Sequence, residues 1–221
     1  MSVFRAILLR DLILAWRQGG GFGAALGFML AVIVVIPLAL GPDQALLRRL
    51  APGIMWMTLL LAVLLTAERI YSQDLEDGSL ELLTMTGLPL EALAVAKSLA
   101  HWLTVGLPLA FVSPFVGFML NLEASQLPLL MATMLIGSFA LSMLAALGGA
   151  VTAGLRRGGL LISLLIMPLY LPTLIFGMSA VMSSTTPTGA TPSVMVLLAI
   201  TLVSCVLSPW ASAAALRIYL R

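Results

Sequence analysis

Residues 158–216, GGLLISLLIMPLYLPTLIFGMSAVMSSTTPTGATPSVMVLLAITLVSCVLSPWASAAAL, contain no Asp, Glu, Lys or Arg. One bilayer span needs about 20 predominantly apolar residues, and a charge at the centre of such a helix costs about 2.5–3.5 kcal/mol on insertion scales. An uncharged run of this length holds two spans, and its polar stretch Ser183–Ser193 supplies the loop between them. Four more uncharged intervals, 18–42, 50–67, 98–122 and 124–155, hold one span each. The pattern predicts an all-α integral membrane protein with six transmembrane helices, at about 22–41, 51–70, 95–119, 127–153, 159–182 and 194–216. These form a single membrane domain over residues 1–221.

The whole chain agrees with its uncharged stretches. Of 221 residues, 61% are hydrophobic and 9% charged, and the mean hydropathy is +1.14. A soluble domain is about a quarter charged, so soluble enzymes, nucleic-acid modules and disordered tails are excluded. The single Cys205 cannot build a disulfide framework or a cysteine metal cluster.

Basic residues orient the spans. With the N-terminus cytoplasmic, Arg5, Arg10, Arg17, Arg69, Lys97, Arg156, Arg157, Arg217 and Arg221 lie inside, and only Arg48 and Arg49 lie outside. An even number of spans returns the C-terminus to the cytoplasm. Trp16, Tyr71, Trp102 and Tyr219 fall near the inner edge and Trp56 near the outer one. Residues 2–17 are expected to form an interfacial helix, because Asp11 and Arg17 interrupt the apolar run a cleavable signal would need.

No catalytic or metal constellation is visible. None of the nine acidic residues is placed in a span core, where ion-coupled transporters keep ionisable groups. The only lysine, Lys97, follows Ala96 and has Glu91 where the first glycine of a P-loop would stand. Any energised work therefore requires nucleotide bound by another chain. His101, the only histidine, reads either as a haem axial ligand or as a polar residue bonded within the bundle.

Residues 68–97, from the end of the second span to the start of the third, carry six of the nine acids: Glu68, Asp74, Glu76, Asp77, Glu81 and Glu91. Asp77-Gly78-Ser79 can end one helix and cap another, and Leu80-Glu81-Leu82-Leu83 makes little more than a turn. Gly87-Leu88-Pro89 then breaks the chain, with Pro89 suited to start the next helix. A helix this short is unstable alone, so its leucines must pack on the bundle or on a partner. The other reading is a solvated acidic loop.

Gly78-Ser79-Leu80-Glu81-Leu82-Leu83, followed by Pro89, Glu91 and Lys97, resembles the coupling-helix loop of six-span ABC exporter permeases. Leu50-Ala51-Pro52-Gly53-Ile54-Met55-Trp56, Asp74-Leu75-Glu76-Asp77-Gly78-Ser79-Leu80-Glu81, Ala96-Lys97 with His101-Trp102, and Leu207-Ser208-Pro209 running to Ala215-Leu216-Arg217-Ile218 narrow the match. Together with the Gly154–Gly159 turn, they are similar to the cytochrome c maturation permeases, the haem exporter protein B family. That resemblance implies an ABC exporter permease-like bundle in the bacterial cytoplasmic (inner) membrane. It implies a non-catalytic subunit that binds no cofactor itself, in a complex that handles haem and whose cytoplasmic ATPase subunit holds ATP and Mg. The other implied partners are a haem-handling membrane subunit, a small single-span subunit and, indirectly, a periplasmic haem chaperone. The ATPase would dock on Asp74, Glu76, Asp77, Gly78, Ser79, Leu80, Glu81, Leu82, Leu83 and Glu91. Whether the complex exports haem or releases haem-loaded chaperone stays open. So do two alternatives: a generic ABC exporter subunit for lipid, glycan or drug, and a non-transporting assembly scaffold.

Three features remain. Arg48 and Arg49 would meet haem propionates, a periplasmic partner or lipid phosphates. Ala145, Gly149 and Ala153, with Ala146, Ala150 and Gly154 beside them, form a small-residue stripe suited to packing within the bundle or to a subunit interface. Pro108, Pro114, Pro168, Pro172 and Pro209 fall within predicted spans, where each removes a backbone donor.

Overall fold

The structure, a computed structural model, describes residues 3–18, 21–41, 43–153, 158–185 and 189–220. Residues 154–157 of the turn before the fifth span, residues 186–188 of the following polar loop, and Arg221 lie outside them. Ten α-helices are described: α1 (Val3–Gln18), α2 (Phe22–Leu40), α3 (Gln44–Ala67), α4 (Arg69–Glu76), α5 (Ser79–Thr84), α6 (Leu90–His101), α7 (Leu107–Met119), α8 (Leu127–Val151), α9 (Gly158–Ser183) and α10 (Thr191–Tyr219). Among the described residues there is no strand. Six segments are long and apolar enough to cross a membrane, so this is a multi-pass membrane protein.

Two of the six are composite. One runs from Gln44 to Glu76, joining α3 and α4. It extends past both ends of the interval at 51–70: Asp43 caps the start by accepting the Leu46 amide at 3.0 Å, and α4 continues the other end to Glu76. The other runs from Leu90 to Met119 and contains a π-helical turn over Trp102–Gly106. Pro108 follows that turn and has no N–H to give the Thr104 carbonyl.

Helix α8 is the axis of the bundle, packed against α3, α6, α7, α9 and α10. Leu141–Ala146 is buried all round its circumference, the pattern of a helix enclosed by others. Its small residues admit its neighbours: a Cβ on Gly149 would lie 3.0 Å from the Tyr71 ring. The stripe at Ala145 and Gly149 therefore packs inside this chain, against the α3–α4 segment. Gly154 is outside the described residues. By contrast, α2 buries only Ala25, Met29 and Ile33, one seam at four-residue spacing, and exposes Val34, Val35 and Leu38.

Trp56 turns its indole into the bundle, where it is fully buried. Its ring lies where Cβ atoms on Gly137 of α8 and Gly177 of α9 would have to be. The two glycines create a slot, and the indole fills it. The residues around Trp56 in the sequence do not announce this slot, whose glycines lie 81 and 121 residues downstream.

Candidate functional site

The end of the bundle that carries α1 and the α4–α5 hairpin gathers most of the described charges that have partners. Gly78, at φ +70° in the left-handed region, turns α4 into α5. The turn brings Ser79, the first residue of α5, back over Asp74 of α4. The Ser79 hydroxyl donates to Asp74 Oδ1 at 2.7 Å and accepts from Arg10 Nη2 of α1 at 2.9 Å. Arg10 Nη2 also donates to Asp74 Oδ1. Lys97 of α6 donates to Asp74 Oδ2 and lies 2.9 Å from Asp11 Oδ2, while Arg10 Nη1 lies 3.5 Å from Asp11 Oδ1.

Two acids and two bases thus form a neutral cluster with three of its four side chains nearly buried: Asp74 and Lys97 are each 5% exposed and Asp11 11%, against 30% for Arg10. Neutrality and mutual hydrogen bonding make such burial tolerable, while removing one partner typically costs about 3–5 kcal/mol. Burial pushes the Asp11 carboxyl above its ordinary value despite Lys97 beside it. At the exposed tip, hydrogen bonding to Ser79, whose amide donates to Asp77 Oδ1 at 2.9 Å, holds Asp77 below the usual carboxylate range.

A cavity of about 100 Å³ adjoins the cluster, lined by Asp11, Gln73, Asp74, Lys97, His101 and Thr104 among others. His101 is buried in its wall. Its Nε2 lies 2.8 Å from Thr66 Oγ1 and its Nδ1 3.1 Å from Ser142 Oγ, so both ring nitrogens are engaged and the ring links α6 to α3 and α8. Of the two readings of this histidine, the geometry supports the structural one, since an axial ligand needs a free nitrogen. Among the described residues no group of three or more His, Cys, Asp or Glu gathers to hold a metal.

The expected docking residues divide. Glu76, Asp77, Gly78, Glu81 and Leu82 are exposed, and Ser79 is half-buried. Leu80 and Leu83, at i and i+3, turn inward and seat α5 on its own bundle. Asp74 is a correction: it is buried in the ion cluster, with both carboxylate oxygens committed inside the chain. Glu91 is engaged as well, accepting from Arg217 of α10 at 2.5 Å. Met85, absent from the expected set, extends the exposed face beside Leu82, the two being 82% and 66% exposed. At the opposite end Arg48 pairs with Glu123 across an exposed surface, and Arg49 is exposed.

Arg10, Asp11 and Lys97 were not singled out as a site by their sequence. The one available signal was Asp11, an acid in a helix otherwise basic and apolar.

Residues 2–219 match the family model described as CcmB protein. The chain belongs to the CcmB family. It is 52% identical over 217 residues to heme exporter protein B of Paracoccus denitrificans, covering 98% of this chain and 100% of that protein. The Rhodobacter capsulatus protein of the same name is 46% identical, again over 98% of this chain and 100% of its own. Heme exporter protein B of Escherichia coli K12 is 41% identical over 98% of each chain. This CcmB-family chain therefore carries its ion cluster and hairpin in a sequence aligned with those proteins from end to end.

Proposed function

We propose that this CcmB-family chain is the membrane permease subunit of an ATP-driven complex that handles haem in cytochrome c maturation. The names of its relatives support haem as the cargo. The observation that carries the coupling role is the α5 tip. Leu80 and Leu83 fasten the helix to the bundle, while Glu81, Leu82 and Met85 stand exposed beyond it. Exposed apolar side chains among oriented carboxylates suit a protein partner, apolar contact supplying affinity and charge supplying register. That partner is a cytoplasmic ATPase subunit holding ATP and Mg, and this chain binds neither. A haem-handling membrane subunit, a small single-span subunit and a periplasmic haem chaperone complete the assembly, in the bacterial inner membrane with both termini cytoplasmic.

Both nitrogens of His101 are engaged within the bundle. This favours ATP-driven release of haem-loaded chaperone from a neighbouring subunit over passage of haem through this chain. Leu82→Arg or Glu81→Arg is expected to reduce ATPase copurification and cytochrome c assembly while membrane insertion stays intact. Undiminished copurification would sink the docking assignment. Loss of covalent c-type haem on deletion, with other haem proteins unaffected, separates this reading from a generic exporter of lipid, glycan or drug. A partner ATPase that binds but does not hydrolyse ATP should arrest maturation, whereas a scaffold would still support it.

A further inference from the structure

We infer that the Arg10–Asp74–Lys97–Asp11 cluster makes α1 and the α4–α5 hairpin one mechanical body, with Arg10 and Asp74 as positioning residues for the docking helix. The inference rests on the docking reading for its driving force but on the cluster for its mechanism.

Helix α1 has few other means of holding its orientation. It packs chiefly on α6 and buries a single apolar side chain, Ile7. Leu9, Ile13 and Trp16 face outward at 46%, 55% and 88% exposure, the stripe of a helix lying in a membrane surface. Lipid fixes its depth, but not its angle about the bundle. The angle is set by consecutive residues Arg10 and Asp11, which reach opposite partners. Arg10 grips Asp74 and Ser79 at the root of α5, and Asp11 meets Lys97 on α6.

The Ser79 hydroxyl sits between the two sides, accepting from Arg10 while donating to Asp74. Any displacement of the α4–α5 hairpin must either break the hydrogen bonds that Arg10 gives to Asp74 and Ser79 or carry α1 with it. Charged groups with little access to water favour the second outcome. A push on the α5 tip is thus delivered to the membrane-surface helix, which precedes the first span, as well as to α6.

The test uses the full chain with its ATPase partner in lipid nanodiscs, Cys205 replaced by Ser, and spin labels placed by substitution. One pair, Ile13→Cys with Thr86→Cys, reports α1 against the hairpin. A second, Ile13→Cys with Leu164→Cys, reports α1 against α9. On adding ATP the second distance is expected to shift while the first keeps its mean. Asp74→Asn, or the milder Ser79→Ala, should broaden the first distribution even before ATP is added. A shift of the first pair in the intact cluster, a static second pair with the partner bound, or an unbroadened first pair in both variants would each overturn the inference. If the partner fails to bind the unsubstituted chain, the docking reading fails instead, and the first-pair width in the partner-free chain still decides whether the cluster joins the two elements.

Discussion

Lys97 of α6 and Asp74 of α4 close an ion pair across a 23-residue separation that contains all of α5. The short helix is therefore fastened on both flanks. Its position is a property of the folded bundle, although six residues could not hold a helix unaided.

The pair should be costly to break from one side. Lys97→Met or Asp74→Asn is expected to lower stability by about 3–5 kcal/mol, because the remaining charge is left buried without its partner. The double variant should cost clearly less than the sum of the two. Thermal unfolding of the four proteins in one detergent gives the coupling energy, and strict additivity would show that the contact contributes nothing.

The two aspartates at this end should respond to pH with opposite sign. Burial raises the Asp11 value above its model-peptide 3.8, so the unfolded chain ionises first and stability falls as pH rises from 3.8 through the raised value. The Asp77 value is lowered below 3.8 by Ser79, so its contribution is present above 3.8 and is lost as pH falls through the depressed value. Relative to the unsubstituted chain, Asp11→Asn should gain stability with rising pH, while Asp77→Asn should lose it. Melting curves across the acid range read both signs.

Neighbouring leucines of α5 should separate folding from association. Leu80 is 1% exposed and Leu82 is 66% exposed. Leu80→Ala should destabilise the protein by about 2–5 kcal/mol as a core truncation. Leu82→Ala should leave the stability within about 0.5 kcal/mol of the parent and weaken ATPase copurification. Equal thermal effects from the two would contradict the inward and outward assignment.

The slot around Trp56 makes a packing prediction. Gly177→Ala places a methyl group inside the indole, an overpacking change costing about 1–3 kcal/mol or more. Trp56→Phe in the same protein should recover part of the loss. A double-mutant cycle on melting temperature measures the recovery, and its absence would mean that the two positions do not meet.

Purified chain should show no stoichiometric Soret band that depends on His101. The ring is held by Thr66 and Ser142, so His101→Ala should alter stability without altering any haem spectrum.

The uncharged stretches were sufficient to reveal six spans, and the acidic segment at 68–97 was enough to mark the hairpin with its short helix from Ser79. Both readings depend on local composition: a bilayer penalises charge wherever it falls, and glycine or proline punctuates the chain where it stands. The division of the hairpin into a gripping side and a free side was not legible. Asp74 and Glu76 are equally acidic in the sequence, but one is buried against Lys97, Arg10 and Ser79 and the other faces solvent.

Sequence by itself therefore determined the class of this protein, its number of membrane-crossing helices and its family. Tertiary structure alone decided that Asp11, Arg10 and Lys97 belong with Asp74, that His101 is occupied, and that Trp56 is a core residue. Transfer of a residue between water and lipid is a one-body property that composition reports. Ion pairing and close packing are many-body properties, because whether a carboxylate is free depends on cations brought beside it from 64 and 23 residues away.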